Sequence, residues 1–172
     1  MEAVGKLRLV SGWPLKLHLV GPSRTSALTR LNRSVEVWDR DHRWVVYHGR
    51  IPYMELSKIY QDADLGVFAS SCENMPNILL ETMASGLPLA CSSYGPMPEV
   101  LGKGGRYFDP VDSQSIQATL KELIEDAELR QYLAWASYNR SKDFDWEICS
   151  EETFRFLRYC ASRFQLKECV EF

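Results

Sequence analysis

Glu73-Asn74-Met75-Pro76-Asn77-Ile78-Leu79-Leu80-Glu81, continuing through Thr82-Met83-Ala84-Ser85 to Gly86-Leu87-Pro88, is the stretch whose reading decides the fold. Pro76 or Asn77 opens a helix, because a proline at the first helical position gives up an N–H that has no intrahelical acceptor anyway. Gly86 followed by Pro88 closes it. Glu73 then falls in the loop ahead of the helix and Glu81 about a turn and a half inside, within roughly 8 Å along the axis at ~1.5 Å rise per residue. Two carboxylates therefore flank one set of free backbone N–H groups. Such groups and the helix dipole attract phosphate, while carboxylates on either side accept hydroxyls. The pattern suits a ligand with hydroxyls at both ends and an anion between them, as in a nucleotide sugar. On that reading Glu81 accepts from the two ribose hydroxyls, the pyrophosphate faces the amides near Asn77 and Ile78, and Glu73 holds sugar hydroxyls. The bland alternative is a solvated helix with two ordinary glutamates. Against it, Ile78, Leu79, Leu80, Met83 and Ala84 make the helix too apolar to be exposed all round, and a carboxylate in such company takes a partner.

Outward from this helix, short β-rich runs at 16–20, 44–48, 65–69, 87–91 and 106–108 alternate with helical stretches at 24–31, 53–62, 76–85 and 96–101. Strand–helix alternation implies an α/β domain with a parallel sheet covered on both faces and ligands at the carboxyl ends of its strands. Glu73 follows the 65–69 strand, as that rule requires. After Phe108 the pattern becomes helical, over 113–125, 127–141 and 146–164. No internal repeat, low-complexity segment or linker interrupts it, so residues 1–172 read as one domain.

Ser70-Ser71-Cys72 followed by Glu73 through Pro88 resembles the E-x7-E signature of retaining GT-B glycosyltransferases of the glycosyltransferase family 4 type (group 1). Leu15-Lys16-Leu17-His18-Leu19-Val20-Gly21 is similar to that family's strand ending in Val-Gly. Val46-Tyr47-His48-Gly49-Arg50-Ile51 and Tyr60-Gln61-Asp62-Ala63-Asp64-Leu65-Gly66-Val67-Phe68 resemble its Gly-containing strand end and its Ala-Asp strand. Gly95-Pro96-Met97-Pro98-Glu99-Val100-Leu101, Gly105-Arg106-Tyr107-Phe108-Asp109-Pro110 and Phe144-Asp145-Trp146-Glu147 follow in the expected order, so the resemblance covers about residues 13–157.

The resemblance implies a Rossmann-like sheet, the C-terminal donor-binding half of a GT-B fold, in an enzyme that moves a sugar from a nucleotide diphosphate with retention of configuration. It implies a donor-sugar role for Glu73, the candidate catalytic residue, and a ribose role for Glu81. Asn74, Met75, Pro76, Asn77 and Ile78 would meet diphosphate and sugar, and the turn at Gly49, Arg50 and Ile51, with Gly21, would help hold the base. Family members work without a bound metal or cofactor, so amides and basic side chains stabilise leaving-group charge. The donor implied is a UDP-sugar first and a GDP-sugar second. The acceptor is a glycan or lipid-linked glycan of bacterial lipopolysaccharide, O-antigen or capsule synthesis, which places the intact enzyme in the cytoplasm at the inner face of the membrane.

The chain departs from the pattern in beginning after the Arg and Lys with which the family grips the diphosphate. Residues 1–11, with Val4, Leu7, Leu9 and Val10, resemble the helix after that motif, with Lys6 or Arg8 on its solvated side. The N-terminal acceptor domain is also absent, and the expectation is a fragment that binds nucleotide weakly, does not complete transfer alone and self-associates. Trp146, Ile148, Cys149, Phe154, Phe156, Leu157 and Tyr159 give the last helix more apolar surface than one face needs: an orphaned interface or a buried helix of this domain. Alternatives are a noncatalytic nucleotide-sugar-binding or docking module and a nucleotide-sugar epimerase of GT-B architecture.

Composition narrows the field. A net charge of −3, with no stripe of Lys and Arg among aromatics, argues against nucleic acid as a partner, and no apolar run of about 18 residues exists to span a bilayer. Cys72, Cys91, Cys149, Cys160 and Cys169 form no C-x-x-C pair and are odd in number, which fits a reducing cytoplasm better than a disulfide framework. Asp39-Arg40-Asp41 and Asp62-Ala63-Asp64 match the metal-chelating D-x-D pattern of GT-A transferases, but Asp39 precedes its strand and Asp62 sits at a helix-to-strand junction, where capping prevails. His18 reads as a packed or hydrogen-bonded strand residue and His48 as a base contact. Arg50 is the better placed substitute cation, Lys103 among its glycines marks a flexible turn, and Glu99 caps its helix.

Overall fold

The computed structural model describes residues 1–168; Cys169 lies outside them. The order is α1 Glu2–Ser11, β1 Leu17–Val20, α2 Thr25–Trp38, β2 Val45–Gly49, α3 Tyr53–Gln61, β3 Gly66–Phe68, α4 Asn77–Ala84, β4 Leu89–Ser92, α5 Met97–Leu101, β5 Gly105–Phe108, α6 Ser113–Glu125, α7 Ala127–Ser141 and α8 Trp146–Glu168. Each expected strand and helix is present. The helix expected over 24–31 extends to Trp38, whose ring lies against Gly5 of α1; a Cβ there would stand 2.5 Å from Trp38 Cε3. Asp39 closes that helix and opens the next strand: its carboxylate accepts the N–H groups of Arg43, Trp44 and Val45 at 2.8, 3.0 and 2.8 Å.

All strand pairs are parallel, but the single sheet expected is two ladders. β1 pairs with β2, and β3, β4 and β5 form a second set with β4 central. Every residue of β4 is buried, as befits a strand covered on both faces. On one face α4, α5 and α7 lie over Phe68, Leu79, Met83, Cys91 and Met97. On the other, α1 and α6 lie over Leu7, Ala90, Phe108, Leu120 and Leu123. Right-handed crossovers account for that division, since chain moving one way across the sheet puts its helices on one face and chain returning puts them on the other.

Several local expectations need correction. Lys6 and Arg8 are not left in solvent: Lys6 pairs with Glu2 at 2.6 Å, and the Arg8 guanidinium lies 5.4 Å from the Trp44 ring centroid and donates to Leu15 O. Leu9 and Val10 are exposed on α1, whereas Leu7 is buried. The glycines around Lys103 are packed rather than flexible, since a Cβ on Gly104 would stand 2.7 Å from Ser137 Cα. Glu99 caps nothing; α5 has no side-chain cap, and the Glu99 carbonyl instead accepts from Arg140 at 3.1 Å. Along α8, Trp146, Phe154, Phe156 and Phe164 are all more than 60% exposed, which rules out a helix buried in this domain.

Candidate functional site

Parallel strands that share a direction deliver their C-terminal ends to one edge, and the chain there turns sharply. Gly21 and Gly49 end β1 and β2 at φ 129° and 64°, conformations that side-chain-bearing residues rarely adopt. Gly21 N–H donates to Gly49 O at 2.8 Å, and Tyr47 Oη donates to Gly21 O at 3.0 Å, so the two turns are locked to each other. Arg50 follows them, exposed and without a hydrogen bond or ion pair among the described residues. Ile51 is half-buried and leads through Pro52 into α3.

β3 runs through Ser70 to Cys72 into Glu73 and then α4, whose N-cap is Pro76. No side chain caps this helix. Asn77 N–H is taken by Met75 O at 3.0 Å and Leu80 N–H by Pro76 O at 3.1 Å. The N–H groups of Ile78 and Leu79 find no acceptor among the described residues. Leu79 is fully buried, so the exposed Ile78 alone presents an open donor and the one expected at Asn77 is occupied; the sequence could not show this because it depends on how the Met75 carbonyl turns. Glu73 and Glu81 are half-buried, and the carboxylate of neither accepts a hydrogen bond among the described residues. No protein partner for Glu81 occurs among the described residues.

Glu81 opens into a cleft of about 1010 Å³ between α3, α4 and the α7–α8 turn. Met75 and Asn77 share its wall; Tyr53, Leu56 and Tyr60 face them from α3, and Phe144 and Trp146 close the far end. Burial pushes the Tyr60 phenol above its ordinary value, and the Glu81 charge adds to the rise. Glu73, Asn74, Ile78, Gly21, Gly49, Arg50 and Ile51 are outside this cleft, on the strand-end rim, and the Pro76 ring is fully buried, so it anchors the helix start rather than meeting a ligand. The tyrosine wall was not anticipated, although Tyr53, Leu56 and Tyr60 at spacings of three and four were its signal.

Other candidates are engaged structurally. Asp39 is committed to three backbone amides. His48 Nε2 lies 2.9 Å from His18 Nδ1, and the rings stack with centroids 5.2 Å apart. Among the described residues no cluster of three metal-ligating side chains occurs, and no helix is long and apolar enough to cross a membrane.

A family model described as "Glycosyl transferases group 1" matches residues 1–126. The chain belongs to the group 1 glycosyl transferases. It is 32% identical over 110 residues to the O-antigen chain mannosyltransferase B of Escherichia coli, a match that takes in 64% of this chain and 29% of that protein. The chain thus spans less than a third of that curated relative. Among solved structures it superposes with a TM-score of 0.71 and 25% identity on the C-terminal domain of a glycosyl transferase group 1 family protein from Francisella tularensis, covering 83% of this chain and 75% of that one. Anabaena HepE in complex with UDP gives a TM-score of 0.78 at 19% identity over 92% of this chain and 43% of that chain, a likeness of fold. This group 1 glycosyl transferase domain therefore has the Rossmann-like architecture of the C-terminal half of the GT-B fold.

Proposed function

We propose that this domain binds a nucleotide-diphosphate sugar and presents it for transfer, with retention, to a glycan or lipid-linked glycan acceptor. One observation supports the reading: an uncapped helix start, where the exposed Ile78 N–H is unclaimed, lies between two carboxylates that no hydrogen bond engages among the described residues. Phosphate fits the amides and the dipole; hydroxyls fit Glu81 on one side and Glu73 on the other. Glu81 is the ribose ligand and Glu73 the donor-sugar group that acts at the reacting end. Asn74, Met75, Asn77 and Ile78 surround diphosphate and sugar, and Gly21, Gly49, Arg50 and Ile51 border the base. The charge released on the diphosphate is met by amides and by Arg50, without metal. A UDP-sugar is the first candidate because HepE, which shares the fold, was solved with UDP; O-antigen synthesis is the first candidate pathway because the Escherichia coli relative carries that name.

Calorimetric titration with UDP, GDP, ADP and their sugar conjugates, first in EDTA and then with magnesium, tests the reading. The expected result is metal-independent binding of one nucleotide, weakened for every diphosphate by Glu81→Ala. Glu73→Ala is expected to remove only the extra affinity contributed by the sugar. Equal binding by the original and both variants sinks the site assignment.

A further inference from the structure

Tyr53 is the most exposed tyrosine among the described residues, at 72%, and its hydroxyl makes no hydrogen bond among them. Other tyrosines that reach the surface are occupied: Tyr47 donates to Gly21 O, Lys142 lies over the Tyr138 ring and Arg163 over that of Tyr159. Exposure of one aromatic ring is ordinary in itself. The position of Tyr53 is what sets it apart.

α3 and α4 both start at the strand-end rim, because α3 follows β2 and α4 follows β3. Tyr53 is the first residue of α3, two positions after Ile51, and Tyr60 on the same wall lies about 10 Å deeper at ~1.5 Å rise per residue. Across the cleft Asn77 is the first residue of α4, and Glu81, four positions on, lies about 6 Å below the rim. Beyond burial, the charges of Glu81 and Tyr53 both add to the rise in the Tyr60 pKa, so the two phenols and the carboxylate surround one volume.

We propose that Tyr53 is the stacking platform for the base of the donor nucleotide. This rests on the donor reading above. With the ribose on Glu81 and the diphosphate at the start of α4, the base crosses the cleft to the wall of α3, at the level of the Gly49–Ile51 turn. The ring at that level is Tyr53, since Tyr60 is deeper and Phe144 and Trp146 stand at the far end. The Tyr53 ring then meets the face of the base while the backbone groups of the turn meet its edge. Stacking accepts any base, because every base has a π-face. Tyr53 therefore contributes affinity common to uridine, guanosine and adenosine diphosphates, and discrimination among them falls to the turn. The ring carries this role and the hydroxyl does not.

Calorimetric titration with UDP, GDP, ADP and 1-deoxyribose 5-diphosphate, which keeps the ribose hydroxyls and the diphosphate but has no base, tests this on the original chain and on Tyr53→Ala, Tyr53→Leu, Tyr53→Phe and Glu81→Ala. Tyr53→Ala is expected to raise the dissociation constant of each nucleotide that binds by about 5- to 150-fold and to leave that of the base-free compound within about twofold. Tyr53→Leu, which keeps apolar bulk without a flat ring, should behave as Tyr53→Ala, and Tyr53→Phe as the original. Glu81→Ala should weaken the nucleotides and the base-free compound together. In NMR spectra the H5 and H6 resonances of bound uracil should move upfield under the Tyr53 ring and lose that shift in Tyr53→Leu. Full affinity in Tyr53→Ala, equal weakening of the base-free compound, or a loss in Tyr53→Phe as large as in Tyr53→Ala overturns the stacking role, and weakening by Glu81→Ala then leaves the donor reading standing. Nucleotide binding that is absent, or that Glu81→Ala leaves unchanged, overturns both.

Discussion

A Cβ on Gly66 would stand 2.5 Å from Thr82 Cγ2 and 2.8 Å from Leu89 Cδ2. The absence of that one carbon lets α4 rest directly on β3, and Thr82, whose hydroxyl donates to Ile78 O at 2.7 Å, is the neighbour of Glu81. The seat of the helix and the direction of the Glu81 carboxylate, the proposed ribose ligand, thus depend on the same contact. Neither neighbour has room to retreat, since Leu89 is fully buried and Thr82 nearly so. Gly66→Ala is expected to cost about 1–3 kcal/mol by overpacking, measured as a lower urea midpoint at unchanged slope. It should also weaken nucleotide binding, because α4 must move outward.

For Glu81 the charge can be separated from the shape. Glu81→Gln keeps the length and one acceptor oxygen but loses the ionised pair of oxygens that, on the proposed reading, two ribose hydroxyls use. Hydrogen bonds to a charged group contribute about 1.5–3 kcal/mol, so the dissociation constant for the preferred nucleoside diphosphate should rise roughly 10- to 150-fold. The 2′-deoxy nucleotide should be penalised less by the variant than the ribonucleotide. Titration of the four combinations forms a cycle whose coupling energy reads the contact, and a coupling of zero removes Glu81 from the ribose.

The domain's architecture was legible where single residues punctuate it. Pro76, Gly86 and Pro88 bounded α4 to within a residue at each end, and the two glutamates took their positions from those bounds. The parallel strands were legible because each is a short apolar run between turn formers. Pairing was not: the split between β1 and β3 is a fact about which edges meet, and strand composition says nothing of neighbours. The same limit hid the His18–His48 pair, whose members are 30 residues apart and become partners only when β1 and β2 align. Pro76 was read as ligand-facing because a helix start carries both a buried and an open side, and sequence alone does not tell which side a ring takes.

Asp39 gives a prediction in pH. Burial alone would raise its pKa, but the three backbone N–H groups of Val45, Arg43 and Trp44 outweigh it, and the carboxyl is held below its ordinary value. A carboxyl depressed in the folded state contributes stability above its unfolded value, about 3.9, and loses it as pH falls through the lower folded value. Acid unfolding should therefore gain a proton-uptake component below about pH 4 that Asp39→Ala abolishes. The variant leaves three N–H groups without their acceptor at the β2 entrance, and a loss of about 2–3 kcal/mol is expected at neutral pH. A denaturation series from pH 3 to 7 on both proteins checks the sign.

Cys91 makes the opposite case. It is fully buried on β4 opposite Tyr107 of β5, and burial pushes its thiol up to about 12, while burial and the neighbouring Cys91 push the Tyr107 phenol to about 12 as well. The unfolded chain releases these protons near ordinary values, about 8.5 for cysteine and about 10 for tyrosine. Above about pH 8.5 the unfolded state therefore binds fewer protons than the folded one, so stability is complete below that pH and declines steadily toward pH 12. The same burial predicts thiol chemistry. Cys72, Cys149 and Cys160 are exposed and should react with a disulfide reagent within the mixing time, whereas Cys91 should react only through opening of the sheet. Its labelling rate should rise with urea in parallel with global unfolding. Rapid labelling of Cys91 in the native chain would show that β4, the strand on which both cores rest, opens locally.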